Sequence, residues 1–261
     1  MKTLTFTSGD HLKHFEVVEE STLNLVFKAN SRGTFICDLV GEGKCNLNII
    51  FEEHTQWHFL CLNKSDKSLV IDEKITLKEH ADITMNYGEL SLGNHHKKTL
   101  YHLVGENSTL HVKGAGLVYG SLNWDLKALH HAKRTFANLD NHALTLKNGK
   151  LKIEVTGQID KGYSQSETHQ MTRVMNLGDP LNSTVFPKLL IDENDVAASH
   201  AATMGQPNEE HIYYLQSRGI SYHEALKLLM KGYLLPITSD IENEMIKKQL
   251  IEEIETKVEN L

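Results

Sequence analysis

Thr34-Phe35-Ile36-Cys37-Asp38-Leu39-Val40 and Cys45-Asn46-Leu47-Asn48-Ile49-Ile50-Phe51, joined through Gly41-Glu42-Gly43, decide the fold class. In the second run every other residue is apolar, which is the mark of a strand with one buried face. The glycine pair lacks a phosphate-binding lysine and a dinucleotide fingerprint, so it reads as a strand turn. Runs of the same texture precede and follow: Leu23–Phe27, Trp57–Leu62, Ser68–Leu77, Asp82–Leu92, Thr99–Val104, Ser108–Val112, Leu117–Trp124, Leu144–Leu146 and Leu151–Val155. All four prolines (Pro180, Pro187, Pro207, Pro236) lie in the last third, so the region before them keeps every ladder donor. The strands are too closely spaced for crossover helices, which excludes a doubly wound sheet. A sandwich, a barrel and a β-helix remain, and no strict repeat selects among them.

Outward from this core the texture changes twice. Residues 1–20 read as a short polar lead, residues 21–204 as the β core and residues 205–261 as a helical domain. In the last, Asn208 is placed to cap a helix reaching Arg218, with Gly219 just beyond it. Ser221 and Glu224 form a capping box for a second helix, with Tyr222, Leu226, Leu229 and Tyr233 on one face. Pro236 ends it. Asp240 is placed to cap a third helix in which Ile251, Ile254, Val258 and Leu261 recur at helical spacing. Residues 240–261 carry seven acids and three lysines. Such a helix lays its apolar stripe on its own domain or on a partner.

The formal net charge of −7 disfavours nucleic acid and an anionic membrane surface. No run approaches the roughly 20 apolar residues that span a bilayer, and the N-terminus is too polar for a signal peptide. A cytoplasmic protein is expected. Cys37, Cys45 and Cys61 stand at gaps that fit no metal motif, and read as small buried hydrophobes. No nucleophile motif is present.

Histidine is abundant: 16 in all, seven of them between His95 and His142. Adjacent strand residues point to opposite faces, so neither His95-His96 nor His130-His131 can chelate one ion alone. Asp192-Glu193-Asn194-Asp195 reads as a polar turn, because calcium loops need a longer ligand order. His200 stands within small residues, Ala197-Ala198-Ser199-His200-Ala201-Ala202-Thr203, which permit close approach of another backbone.

Three stretches together resemble the SufB/SufD family: Pro187-Lys188-Leu189-Leu190-Ile191-Asp192-Glu193-Asn194-Asp195-Val196, then Ser199-His200-Ala201-Ala202-Thr203-Met204-Gly205-Gln206, then Glu209-Glu210-His211-Ile212-Tyr213-Tyr214-Leu215-Gln216-Ser217-Arg218-Gly219-Ile220. Glu224-Ala225-Leu226-Lys227-Leu228-Leu229 continues the likeness. Upstream, Gly157-Gln158-Ile159 and Ser166-Glu167-Thr168-His169-Gln170 resemble the family's last coils. The resemblance is to a short form, without the long helical N-terminal region common in the family.

The resemblance implies a right-handed parallel β-helix followed by a small helical domain. It implies a non-enzymatic, SufD-like subunit of iron–sulfur cluster assembly, dimerising through the β-helix with a SufB-type scaffold or with itself. It implies docking of a SufC-type ABC ATPase by the C-terminal helices, with Tyr213, Tyr214, Arg218, Leu226, Leu229 and Tyr233 as contact residues, and no nucleotide bound by this chain. His200 matches the family's functional histidine, implying a ligand for iron or a transient cluster at the subunit interface. Met171, Thr172 and Ala198 stand where relatives carry cysteine, and Ala201 where they carry glycine. A relative that binds the ATPase without a cluster site, and a carbohydrate-acting β-helix, are the other readings.

Overall fold

The computed structural model describes residues 2–90, 92–178, 182–239, 241 and 244–261. The strands run β1 (Lys2–Phe6), β2 (Gly9–Phe27), β3 (Arg32–Phe51), β4 (Gln56–Asn63), β5 (Leu69–Leu77), β6 (Asp82–Glu89) and β7 (His95–Leu103). They continue through β8 (Thr109–Val118), β9 (Ser121–His130), β10 (Phe136–Thr145), β11 (Lys150–Ile159), β12 (Ser166–Asn176), β13 (Ser183–Ile191) and β14 (Val196–Gly205). Every described pairing is parallel; β1–β2, β2–β3 and β3–β4 join consecutive strands, and every other pairing skips one. Strand β3 is long enough to belong to both faces: Arg32–Leu39 pairs with β4, and Gly43–Phe51 with β5. The chain thus winds as a β-solenoid of about seven turns. A first face holds β4, β6, β8, β10, β12 and β14, and a second holds β5, β7, β9, β11 and β13. Of the three architectures open to the sequence, the β-helix is the one realised.

The turn at Gly41 and Gly43 is what lets β3 change face. Both take positive φ, 106° and 117°. A Cβ would fall 2.1 Å from the Val17 carbonyl oxygen at the first and 2.0 Å from that of Glu19 at the second. The other corner repeats coil after coil. Asn30, His54, His80, Asn107, Arg134 and Gln165 all take φ between 55° and 60°. Their N–H groups donate to the Glu53, Glu79, Glu106, Lys133, Ser164 and Asp195 carbonyls of the next coil. Each is followed by a small buried residue: Ser31, Thr55, Ala81, Ser108, Thr135 and Ser166. Left-handed backbone is costly for side-chain-bearing residues, and the inter-coil bond offsets that cost at each step.

The strands begin earlier than the sequence reading placed them. β1 pairs with the second half of β2, and the first half of β2 pairs with β3 from Gly9 onward, so residues 2–20 lie in the first coils. They read as a polar lead because an end coil has outward and edge positions on which polar residues are free to sit. Pro187 lies in β13, the edge strand of the second face, where a missing ladder donor is tolerated. Pro180 and the expected cap Asp240 lie outside the described residues.

Inward residues stack in columns. At the N-terminal end the columns are aromatic: Phe27 on Phe51 at 4.6 Å between centroids, and Phe35 on Phe59 at 5.1 Å. In the middle they become charged. Lys97, 1% exposed, bonds Glu73 at 3.0 Å and lies 3.8 Å from the centre of the Tyr87 ring. The Thr99 hydroxyl donates to the other Glu73 oxygen at 2.8 Å. His95 lies 3.4 Å from Glu89, and its Nε2 lies 3.0 and 3.1 Å from the Ser65 and Lys67 carbonyls. Burial pulls the His95 pKa down, but Glu89 and the two carbonyls outweigh it and hold it above the ordinary histidine value. His130 has no such carboxylate. Burial, helped by His131, pushes it down to about 4.

After the solenoid come α1 (Glu209–Ser217), α2 (Tyr222–Leu234), a 3-10 turn (Leu235–Thr238) and α3 (Glu244–Glu259). The Asn208 side chain accepts from Glu210 N–H, and Ser221 Oγ from Glu224 N–H, as the caps predict. This helical region covers the outside of the first face. Met230, Leu234, Ile237, Leu250, Ile254 and Val258 bury Ile36, Leu60, Leu62, Leu117 and Leu144. Lys64 joins Glu253 at 3.0 Å, fastening α3 to the early coils. The apolar stripe of the terminal helix is therefore used within the chain.

Two outcomes follow from the interior. Lys97→Met strands the Glu73 carboxylate and destabilises by about 3–5 kcal/mol, whereas Lys97→Met with Glu73→Leu recovers most of that loss in denaturant titrations. The two buried histidines set opposite pH slopes. His130, held neutral, contributes on the order of 3 kcal/mol above its unfolded pKa of about 6.5, lost as pH falls toward 4. His95, held protonated, contributes fully below pH ~6.5, and that contribution is lost as pH rises through its raised value. Measured stability curves should lose their acid limb in His130→Gln and their alkaline limb in His95→Gln.

Candidate functional site

The solenoid ends on an unclosed coil. β14 pairs only with β12, and β13 only with β11, so each leaves one backbone edge free among the described residues. Side chains that would point inward in a middle coil face outward to solvent here. In β14, Ala198, His200, Ala202 and Met204 are exposed. On β13 the exposed Ile191 continues the inward column of Ile159, while the exposed Phe186 and Leu190 continue the outward rows of Glu154 and Gln158.

His200 stacks in register on Gln170 and, one coil below, Leu139. It thus occupies the inward column at the open end. Among the described residues no set of three His, Cys, Asp or Glu side chains is close enough to hold a metal ion, at His200 or elsewhere.

Beneath it the interior turns small and polar. Gln170 Nε2 donates to the Lys188 carbonyl at 2.9 Å, but its Oε1 has no partner. Thr168 Oγ1, both amide atoms of Asn141, and Trp124 Nε1 are likewise buried and without a partner among the described residues. Gly157 faces this group, and a Cβ there would come within 2.5 Å of Thr168 Oγ1. Unpaired buried polar atoms are costly. Several in consecutive coils below an open end make a floor suited to water or a polar ligand. Sequence reasoning missed them. The signal was present in Ser166-Glu167-Thr168-His169-Gln170-Met171-Thr172, where inward and outward positions are polar alike.

The helical residues divide. Tyr213, 74% exposed, and Tyr214 stand clear on α1, with Arg218 5.3 Å from the Tyr214 ring centre. Leu226, Leu229 and Tyr233 are half-buried on α2. Leu226 and Tyr233 pack on the apolar layer over the first face, and the Tyr233 ring meets His142 edge-on at 5.9 Å. The buried line of α2 is Ala225, Met230 and Leu234, so the side carrying Leu229 and Tyr233 fronts a groove with Met204, His211 and Leu228.

The remaining candidates resolve as structure. Cys37, Cys45 and Cys61 are free and buried, and burial pushes the Cys45 thiol up to about 12. His95 points in and His96 out, as strand alternation requires. His102 and His131 meet at 3.1 Å between ring nitrogens. His142 joins Asp140 and Arg173 under α2. Glu193 accepts the Gly162 and Asn194 N–H groups, making the acidic run a hydrogen-bonded turn.

The chain is similar to the iron–sulfur cluster assembly protein SufD of Bacillus subtilis, 35% identical over 136 residues, covering 52% of this chain and 31% of that protein. It is similar to SufD of Escherichia coli, 25% identical over 211 residues, covering 80% of this chain and 47% of that one. A SufBD family protein of Pyrococcus horikoshii is 28% identical over 153 residues, 57% of this chain and 34% of its own length. The chain therefore spans about a third to a half of these relatives. Residues 15–233, well over half of the chain and including His200 and the α1–α2 pair, match the SUF system FeS cluster assembly SufBD core domain, and the protein belongs to that family.

Proposed function

We propose that this chain is a SufD-like, non-enzymatic subunit of the SUF machinery in the cytoplasm. It docks a SufC-type ABC ATPase through its helical region and pairs through the end of its solenoid with a SufB-type scaffold or a second copy. Iron or a nascent cluster is then cargo held transiently at that interface, with His200 as one ligand. The observation that carries the reading is the unclosed last coil. It combines free strand edges, small side chains that admit a second backbone, and one histidine in the inward column above unpaired polar atoms. Neutral imidazole suits iron, but one side chain is not a site, so the missing ligands come from the partner. ATP chemistry belongs to the ATPase, and Tyr213, Tyr214 and Arg218 give it an exposed aromatic and cationic contact of the kind enriched at interface hot spots.

A second reading keeps the ATPase contact and drops the cluster site. The absence of a three-ligand group around His200 among the described residues favours it.

Co-expression with a SufC-type ATPase and a SufB-type scaffold, purification through a tag on this chain and native mass measurement test the assembly. A stable complex containing the ATPase is expected, and a lone species would overturn the reading. Tyr213→Ala with Tyr214→Ala should weaken ATPase binding about tenfold or more, roughly 1.4 kcal/mol, with an unchanged melting temperature because both rings are exposed. His200→Ala should leave the complex intact and lower cluster maturation in cells. Unchanged maturation would select the second reading.

A further inference from the structure

Among the described residues no helix covers the outer side of the second face, since the helices lie over the first. Across it runs a groove of about 430 Å³ spanning β5, β7, β9 and β11. Its polar lining is Asn94, His96, Ser121, Asn123, Lys150 and Lys152, with the buried His95 behind them and the other neighbours apolar or hydroxyl-bearing. In a chain of net charge −7, none of the described residues lining this groove is acidic.

The donors are arranged and not merely gathered. His96, Asn123 and Lys152 are register partners on successive strands, β7, β9 and β11. At the usual strand spacing they form a row about 10 Å long. Lys150 and Ser121, also register partners, flank the row at its corner. The Asn94 side-chain Oδ1 accepts from Ser121 N–H at 2.9 Å and from the Ser121 hydroxyl at 3.1 Å, which leaves the side-chain NH2 to donate. Lys150 and Lys152 make no ion pair among the described residues, and Lys152 only approaches the Phe186 ring at 5.9 Å. Carboxylates further along the same strands are engaged: Glu154 with Lys188 at 2.7 Å, Asp125 with Lys127 at 4.0 Å and Asp72 with Lys44 at 3.0 Å.

We propose that this groove binds a small ligand carrying a diphosphate group, lying along the His96–Asn123–Lys152 row with Lys150 at its side. The volume is that of a small-molecule site. A single phosphate reaches one step of the row, whereas linked phosphates meet two strands at once. The site lies on the outer side of the second face, beside β13 and away from α1, and it does not rest on the assembly role.

Calorimetric titration of the full chain with inorganic pyrophosphate tests it, with circular dichroism checking each variant. Saturable binding is expected, weakened about tenfold or more in Lys150→Gln with Lys152→Gln and unchanged in Lys74→Gln, which removes from the same face another exposed lysine that makes no ion pair among the described residues. Pyrophosphate should bind more tightly than inorganic phosphate or sulfate. If ADP binds more tightly still, the ligand is a nucleotide; if equally, the diphosphate alone is read, and either result sustains the site. No binding, equal binding of sulfate, or equal loss in Lys74→Gln would overturn it.

Discussion

Everything in this molecule depends on the parallel register between coils. Each inward side chain sits directly over the inward side chain of the coil before, at the separation of neighbouring strands. The interior is therefore a set of columns, and a residue's neighbours are fixed by its place in a coil more than by its place in the chain. Phenylalanine over phenylalanine is a low-cost solution, and the first coils use it. Lysine in such a column is tolerated only with a carboxylate in reach. Glu73, one coil below and one inward step along, meets that need for Lys97, and Thr99 meets the remaining lone pairs.

Much of this was legible in the chain. Alternation in Cys45–Phe51 gives a strand with one dry face, and the caps at Asn208 and Ser221 appear where the residue types place them. Alternation does not say what the dry face meets, so it left three architectures standing. The repeat that separates them was hidden by its chemistry. The corner residues Asn30, His54, His80, Asn107, Arg134 and Gln165 share a backbone conformation, not a side-chain type, and the small residue after each is serine, threonine or alanine. Spacings that drift from 24 to 31 residues, read from their numbers, hide it further.

The site was less legible, for a related reason. His200 drew notice because its neighbours are small, but its exposure comes from being in the coil at which stacking stops, a property of the whole solenoid. The polar floor beneath it is spread over Trp124, Asn141, Thr168 and Gln170, residues from three strands that only the winding of the solenoid brings together. The two faces also differ in a way composition averages out. One is sheathed by acidic helices, while the other presents Lys150 and Lys152 uncovered. A net charge for the chain describes neither.

The contact of α3 with the early coils bears on how the protein is made. Leu60 and Leu62 lie in an early coil, yet their outer cover, Leu250, Ile254 and Val258, is made about 190 residues later. At ~5–20 residues per second the ribosome needs about 10–40 s to deliver that cover. Through that interval the growing solenoid has a dry inside and an uncovered apolar outside. Its inside is complete coil by coil, and its outside only when α3 arrives.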